Sequence, residues 1–240
     1  MKRILVDAVA EGPRLVRAAA YHHLARVLRV RVGDEVVVFD GEGREAEARV
    51  TRIWPTEILL HVGSVRAAPA APVAITLILA LLKGEKMDLV IQKTTELGVA
   101  RIVPVTSAHA VVKLDAARRA DRRERWAKIA AEAARQCGRA DVPDVAEVRD
   151  LPSALAVGTG WRVLFHEAER DATVRRLMPR DRPAEVTVGV GPEGGFAPDE
   201  VAAARASGYA VCGLGPRVLR AETAAIVAVA LIGFALGDLG

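Results

Sequence analysis

Arg217, Arg220 and Glu222 stand close together in Leu214-Gly-Pro-Arg-Val-Leu-Arg-Ala-Glu-Thr-Ala224, just before a run that is nearly all apolar. A carboxylate and two guanidinium groups at such a place can handle a proton and neutralise developing negative charge. The blander reading makes Glu222 and Thr223 a helix cap, where the dipole favours a carboxylate, with the arginines paired to nearby acids. A second loop, Gly189-Val-Gly-Pro-Glu-Gly-Gly-Phe196, tips the reading toward the rim of an active site. Both loops leave apolar strands. Glycine is required where a ligand lies against main chain or where φ is positive, so the two loops predict a cradle suited to a nucleoside-bearing cofactor.

Read literally, Gly189-Val-Gly191-Pro-Glu-Gly194 matches the GxGxxG of a dinucleotide site. A dinucleotide-binding helix begins inside that fingerprint, whereas here the predicted start is delayed to Pro198-Asp199-Glu200. No acidic residue ends a strand about 20 residues further on, which argues against a nicotinamide cofactor. His166-Glu167, directly after a predicted strand ending at Phe165, suits either a ribose or adenine edge or a strand-end polar pair facing water. No metal is expected: the five histidines are scattered or adjacent, and His22-His23 lacks a partner at zinc spacing.

Bulk properties narrow the class. A hydrophobic content of 51% in 240 residues is ample for a sizeable core, and a net charge of +4 with a pI near 9.4 permits a polyanionic partner without requiring one. Cys137 and Cys212 are isolated, which fits a reducing cytoplasm. Asp7 and Glu11 interrupt the N-terminus before an apolar signal core forms, so export is not expected. The most apolar run, Thr223 to Leu236, falls short of the ~20 residues that cross a bilayer and reads as a buried helix, so no membrane partner is expected.

These candidate residues need elements to hold them. Tyr21 to Arg29 has helical spacing, with Leu24, Val27 and Leu28 on one stripe and Arg26 and Arg29 on another. Glu35 to Phe39 and the alternating Arg44 to Ile53 flank Asp40-Gly-Glu-Gly43 as a hairpin in a small β-rich domain. Ala67-Ala-Pro-Ala-Ala-Pro72 is the linker candidate, placing a boundary near residue 70. Beyond it come predicted strands at Val73 to Leu82, Arg101 to Val105, Arg162 to Phe165, Val186 to Val190 and Tyr209 to Leu214. Helices are predicted at Lys86 to Leu97, with Met87, Val90, Ile91 and Thr94 on one face, and at Asp115 to Cys137. Such alternation predicts an α/β domain with a mainly parallel sheet. Arg118, Arg119, Arg122, Arg123 and Arg125 read as a solvated face of the second helix, whereas Arg135, Gln136 and Arg139 flank its end at Gly138, where side chains can project into a cleft.

Together these segments resemble the bacterial 16S ribosomal RNA (uracil-N3)-methyltransferase family, within the SPOUT superfamily. The matching pieces span almost the whole chain: His22 to Arg29 with Val32-Gly-Asp34 and Phe39-Asp-Gly41; Lys83 to Met87 with Gln92 to Gly98; Glu132-Ala133 with Gln136 to Arg139; Phe165-His-Glu167; and both glycine-bearing loops. Arg135 is a departure, since a neutral or acidic residue is expected there. The resemblance implies an N-terminal PUA-like β-barrel over residues 1–70 that helps hold RNA, and a SPOUT domain over 71–240 whose last segment forms a trefoil knot. It also implies a homodimer, S-adenosylmethionine as methyl donor, and a uridine of the small ribosomal subunit's 16S rRNA as acceptor. Residues expected at the cofactor are Leu164, Phe165, His166, Glu167, Gly189, Val190, Gly191, Glu193, Gly194, Leu214, Gly215, Val218 and Leu219. Glu222 is the expected base and Arg220 the cation stabilising the uracilate, although the two can equally form an ion pair that shapes the pocket. Arg26, Arg29, Lys83, Lys86 and Arg139 are the expected phosphate contacts, which would make RNA affinity fall with salt. Two rivals stay open: a SPOUT enzyme acting at another RNA position such as a ribose 2′-oxygen, and a non-catalytic RNA-binding protein.

Overall fold

The hairpin around Asp40 forms between β3 (Glu35–Phe39) and β4 (Arg44–Ile53) in a computed structural model that describes residues 2–112 and 115–239. Asp40 fastens the turn, its carboxylate accepting from the Glu42 and Arg44 N–H groups at 2.9 and 3.0 Å and from Arg44 Nε at 2.7 Å. Burial alone would raise this carboxyl, but the main-chain and guanidinium donors outweigh it and hold it below the ordinary aspartate range. With β1 (Arg3–Leu5), β2 (Gly12–Val16), β5 (Ile58–Val62) and the short β6 (Arg66–Ala67), the hairpin builds a sheet ordered β1-β3-β4-β5-β2, with β6 on β4. Val36, Val38, Ile58 and Leu60 supply its buried face.

The helix predicted over residues 21–29 starts three residues earlier, ends two residues earlier and is wound differently. It consists of α1 (Ala18–His22) followed by a π-helical turn, His23–Val27. The wider winding of that turn carries successive side chains off the 3.6-residue line. Leu24 stays fully buried, while Val27, placed on the same stripe by its spacing, is 66% exposed.

Two compact units emerge: residues 1–70 with 131–142, and residues 71–130 with 143–240. The return of 131–142 to the first unit has no counterpart in linker composition. The segment begins within α3 (Ala116–Cys137), whose end is marked by Gly138 at φ +91°, and runs on to Val142. The second unit is built on a parallel sheet of β7 (Ala74–Ala80), β8 (Val99–Thr106), β9 (Asp144–Val145), β10 (Arg149–Asp150), β11 (Trp161–Phe165), β12 (Glu185–Val190) and β13 (Ala210–Cys212). Its order is β10-β8-β7-β12-β11-β13, with β9 beside β8.

Helices α2 (Lys86–Glu96), α4 (Leu151–Ala156), α5 (Val174–Leu177), α6 (Pro198–Ala206) and α7 (Ala221–Leu236) complete the unit. In α2 the buried positions are Met87, Val90, Ile91, Thr94 and Thr95, and both threonine hydroxyls donate to carbonyls one turn back. The delayed start of α6 is as predicted, with Glu200 accepting from the Ala197 N–H at 2.9 Å. Helix α7 buries Ala225, Val229, Ile232 and Leu236 on one face, but it is not buried all round: Leu231 is 40% and Phe234 69% exposed. No helix among the described residues is long and apolar enough to cross a membrane.

Candidate active site

Strands run outward from β7 through β8 to β10, and the chain then returns to place β12 against the other side of β7. Ligands of open α/β sheets bind beyond the carboxyl ends of strands at such a reversal. A cleft of about 430 Å³ opens there, in the size class of a small-molecule site. Phe165, His166 and Glu167 reach it from the end of β11, Val190 to Gly195 from the end of β12, and Leu214, Gly215 and Arg217 to Arg220 from the loop before α7. Ala221 and Ala224 of α7 and Lys86 of α2 close the wall.

Local geometry explains the glycines. Gly215 has φ +103° with no atom within 4 Å of where a Cβ would stand, so conformation demands glycine and leaves that side of the loop open. Gly213 is required by closeness instead: a Cβ would lie 2.1 Å from the Glu169 carbonyl oxygen. The neighbouring contacts fix the loop's path, with the Gly213 N–H donating to Ala172 at 3.0 Å and Arg170 Nη1 donating to the Pro216 carbonyl at 2.7 Å. On the other loop, His109 Nδ1 lies 3.1 Å from the Gly194 carbonyl oxygen, and the Glu200 carboxylate accepts from the Ala108 N–H at 2.8 Å. His109 carried no motif and was missed from the sequence, because it meets the glycine loop only through the fold.

The charged groups sort into two kinds. Arg217 and Arg220 are exposed on the wall, without an ion pair among the described residues. Lys86 is held: its ammonium lies 3.0 Å from Glu193 Oε1 and 3.5 Å from Glu222 Oε2. The bond to Glu193 keeps Lys86 above the usual lysine range. Burial would raise Glu193, but the Lys86 hydrogen bond and main-chain donors, including the Lys83 N–H at 3.3 Å, hold it below the ordinary glutamate range. Glu222 is only 9% exposed, and its Oε2 has no hydrogen bond among the described residues.

Several expected positions change as a result. Glu222 does not line the cleft; it stands beside Lys86, which does, so a direct proton-accepting contact is not what the wall offers. Glu222 also does not cap α7, whose N-cap Arg220 has no side-chain capping bond. Leu164 and Gly189 are paired neighbours inside the sheet and do not line the cleft; a Cβ on Gly189 would stand 3.3 Å from Leu164 Cδ1, a tight contact. The remaining eleven residues expected at the cofactor all line it. Of the expected phosphate contacts, Lys86 is engaged by two carboxylates and Arg139 by Asp141 at 2.5 Å, while Arg26, Arg29 and Lys83 are exposed. The basic face of α3 is largely paired: Arg125 meets Asp88, Arg118 meets Asp115, and Arg123 Nε donates to the Val145 carbonyl at 2.9 Å. No cluster of metal-ligating side chains occurs among the described residues.

Residues 69–233 match a family model described as an RNA methyltransferase domain, and residues 16–62 match one described as an RNA methyltransferase PUA domain. The chain is 31% identical over 237 residues to the ribosomal RNA small subunit methyltransferase E of Bacillus subtilis, covering 94% of this chain and 92% of that protein. It is 34% identical over 219 residues to the Mycobacterium bovis protein of the same name, covering 88% and 82%. Among solved structures, a ribosomal RNA small subunit methyltransferase E from Neisseria gonorrhoeae bound to S-adenosyl methionine superposes with a TM-score of 0.89 at 31% identity, covering 99% of both chains.

Proposed function

The chain belongs to the RNA methyltransferase family, and on that premise we propose that it transfers a methyl group from S-adenosylmethionine to N3 of a uridine in the 16S ribosomal RNA of the small subunit. The cleft at the ends of β11 and β12 carries this reading. Its two glycine-bearing loops give main chain for an adenosyl group, and Phe165, Val190, Leu214, Val218 and Leu219 give apolar contact on either side. His166 and Glu167 stand where a ribose hydroxyl would need partners. Bound there, S-adenosylmethionine supplies a sulfonium-activated methyl, and the protein's task is alignment and charge.

Uracil N3 is weakly acidic and a poor nucleophile while protonated. A cation that stabilises the uracilate through its carbonyl oxygens therefore lowers the barrier. Arg220, on the wall of the cleft and without an ion pair among the described residues, takes that role. The N3 edge is the pairing face, so the uridine must leave any stack to present it.

The first unit is read as a PUA-like β-barrel that holds RNA, supported by the family match and by β4, which pairs with β3, β5 and β6 and shifts register between Val50 and Arg52. Arg26 and Arg29, exposed there, are its proposed phosphate contacts. A trefoil knot is supported by the pinning of residues 213–216 against 170–173 and by α7, which packs on β7 and β12 in the middle of the sheet although β13 lies at its edge. A homodimer is supported by the exposed apolar residues Leu231 and Phe234 on α7. This reading places the protein in the cytoplasm.

Calorimetry tests the cofactor. Titration with S-adenosylmethionine is expected to give saturable heat with one site per chain, and titration with NAD none. Absence of heat with S-adenosylmethionine would leave a non-catalytic RNA-binding protein.

A further inference from the structure

Lys86 occupies an unfavourable place for a cation. It is the first residue of α2, where the helix dipole disfavours positive charge by a few tenths of a kcal/mol or more. Two carboxylates from remote segments offset this: Glu193 from the glycine-bearing loop at 3.0 Å and Glu222 from the first turn of α7 at 3.5 Å. Glu193 serves no helix, whereas Glu222 is also favoured by the dipole of α7. Glu193 lies in a loop, and Glu222 makes no cap and keeps an oxygen buried without a hydrogen bond among the described residues. Removing a carboxylate from water costs several kcal/mol unless a partner compensates, and the partner within reach of Glu222 is this ammonium. Of Lys86 and Glu222, only Lys86 reaches the cleft.

We propose that Lys86 is a second cation acting on the reacting uracil, and that Glu222 acts through it as a positioning residue rather than as the proton acceptor. The inference rests on the uridine-methylation reading above. An ammonium held by two carboxylates at the cleft wall needs less reorganisation when negative charge develops on a carbonyl oxygen of the acceptor. The N3 proton leaves to solvent, and Lys86 stays protonated throughout. Lysine serves here because its ammonium has three donors: one is taken by Glu193, and the ion pair with Glu222 leaves donors for a further oxygen.

A double-mutant cycle tests this on the full chain, with kcat and RNA KM from methyl transfer to 16S rRNA and S-adenosylmethionine Kd from calorimetry. Lys86→Met is expected to lower kcat about 100-fold, the scale of losing one charge-stabilising donor, with Kd changed less than about threefold. Glu222→Gln should lower kcat about tenfold in the wild-type background and less than about twofold once Lys86 is Met. Lys86→Arg should restore at least about tenfold of the lost turnover, a rescue that a packing defect would not show. Glu222→Gln costing the same factor in both backgrounds would overturn the proposal and return Glu222 to direct proton transfer. Lys86→Met raising Kd with kcat intact would make Lys86 a cofactor contact, and raising only the RNA KM would make it a phosphate contact; either overturns the proposal. Failure of the wild-type chain to methylate uracil would defeat the underlying reading instead, before any variant is made.

Discussion

Single residues decide whether the cleft exists at all. Gly213 passes so close to the Glu169 carbonyl that a methyl group would overlap main chain rather than a movable side-chain tip. Gly213→Ala should therefore push the 213–216 segment away from 169–173, lowering stability by about 1–3 kcal/mol and weakening S-adenosylmethionine binding at least tenfold. Urea unfolding and calorimetry measure both, and unchanged values in both would contradict this packing. The glycine positions were legible because the need for positive φ or close approach is written in residue type. Lys86 was not. Its partner Glu193 is 107 residues away, so along the chain it reads as a phosphate contact near a helix start, and its place between two carboxylates emerges only where α2, α7 and the β12 loop meet. Leu164 and Gly189 stand apart from the other expected cofactor residues, since they pair within the sheet and do not line the cleft.

At the scale of elements, hydrophobic spacing located β3, β4, β7, β8, β11, β12, β13 and the long helices within a few residues, whereas β1, β2, β5 and the two-residue strands β6, β9 and β10 were not predicted. It failed where winding departs from 3.6 residues per turn, as in His23–Val27, which exposes Val27. It also failed where apolar character is uniform. Nearly every residue of α7 is apolar, so no period marks which face is covered, and Leu231 and Phe234 emerge as exposed only in the fold. If these side chains are the core of a two-fold contact, Phe234→Glu should weaken dimerisation at least about 30-fold, a loss of about 2 kcal/mol, typical of an interface hot spot. Sedimentation equilibrium reads this, with circular dichroism to verify that α7 persists. A wild-type chain that is monomeric at tens of micromolar, or a variant that dimerises equally well, would remove α7 from the interface.

For the whole molecule, the family matches follow the two compact units only in part: residues 16–62 fall in the β-rich unit, while residues 69–233 cover most of the parallel-sheet unit and also segment 131–142 of the first. The proline and alanine stretch Ala67 to Pro72 stands where the first unit gives way to the second at residue 70, whereas the grouping of 131–142 with the first unit had no mark in the sequence, because its start lies inside a continuous helix with no change in pattern. Net positive charge suits an RNA partner but says nothing of which atom is modified. The central claim is that one cleft brings a methyl donor to the pairing edge of a uracil. The direct test supplies the protein with labelled S-adenosylmethionine and 16S rRNA, free or within small subunits, then digests the RNA and identifies the labelled nucleoside. The account predicts 3-methyluridine at a single position; label on a ribose 2′-oxygen, on another base, or on no nucleoside at all would contradict it.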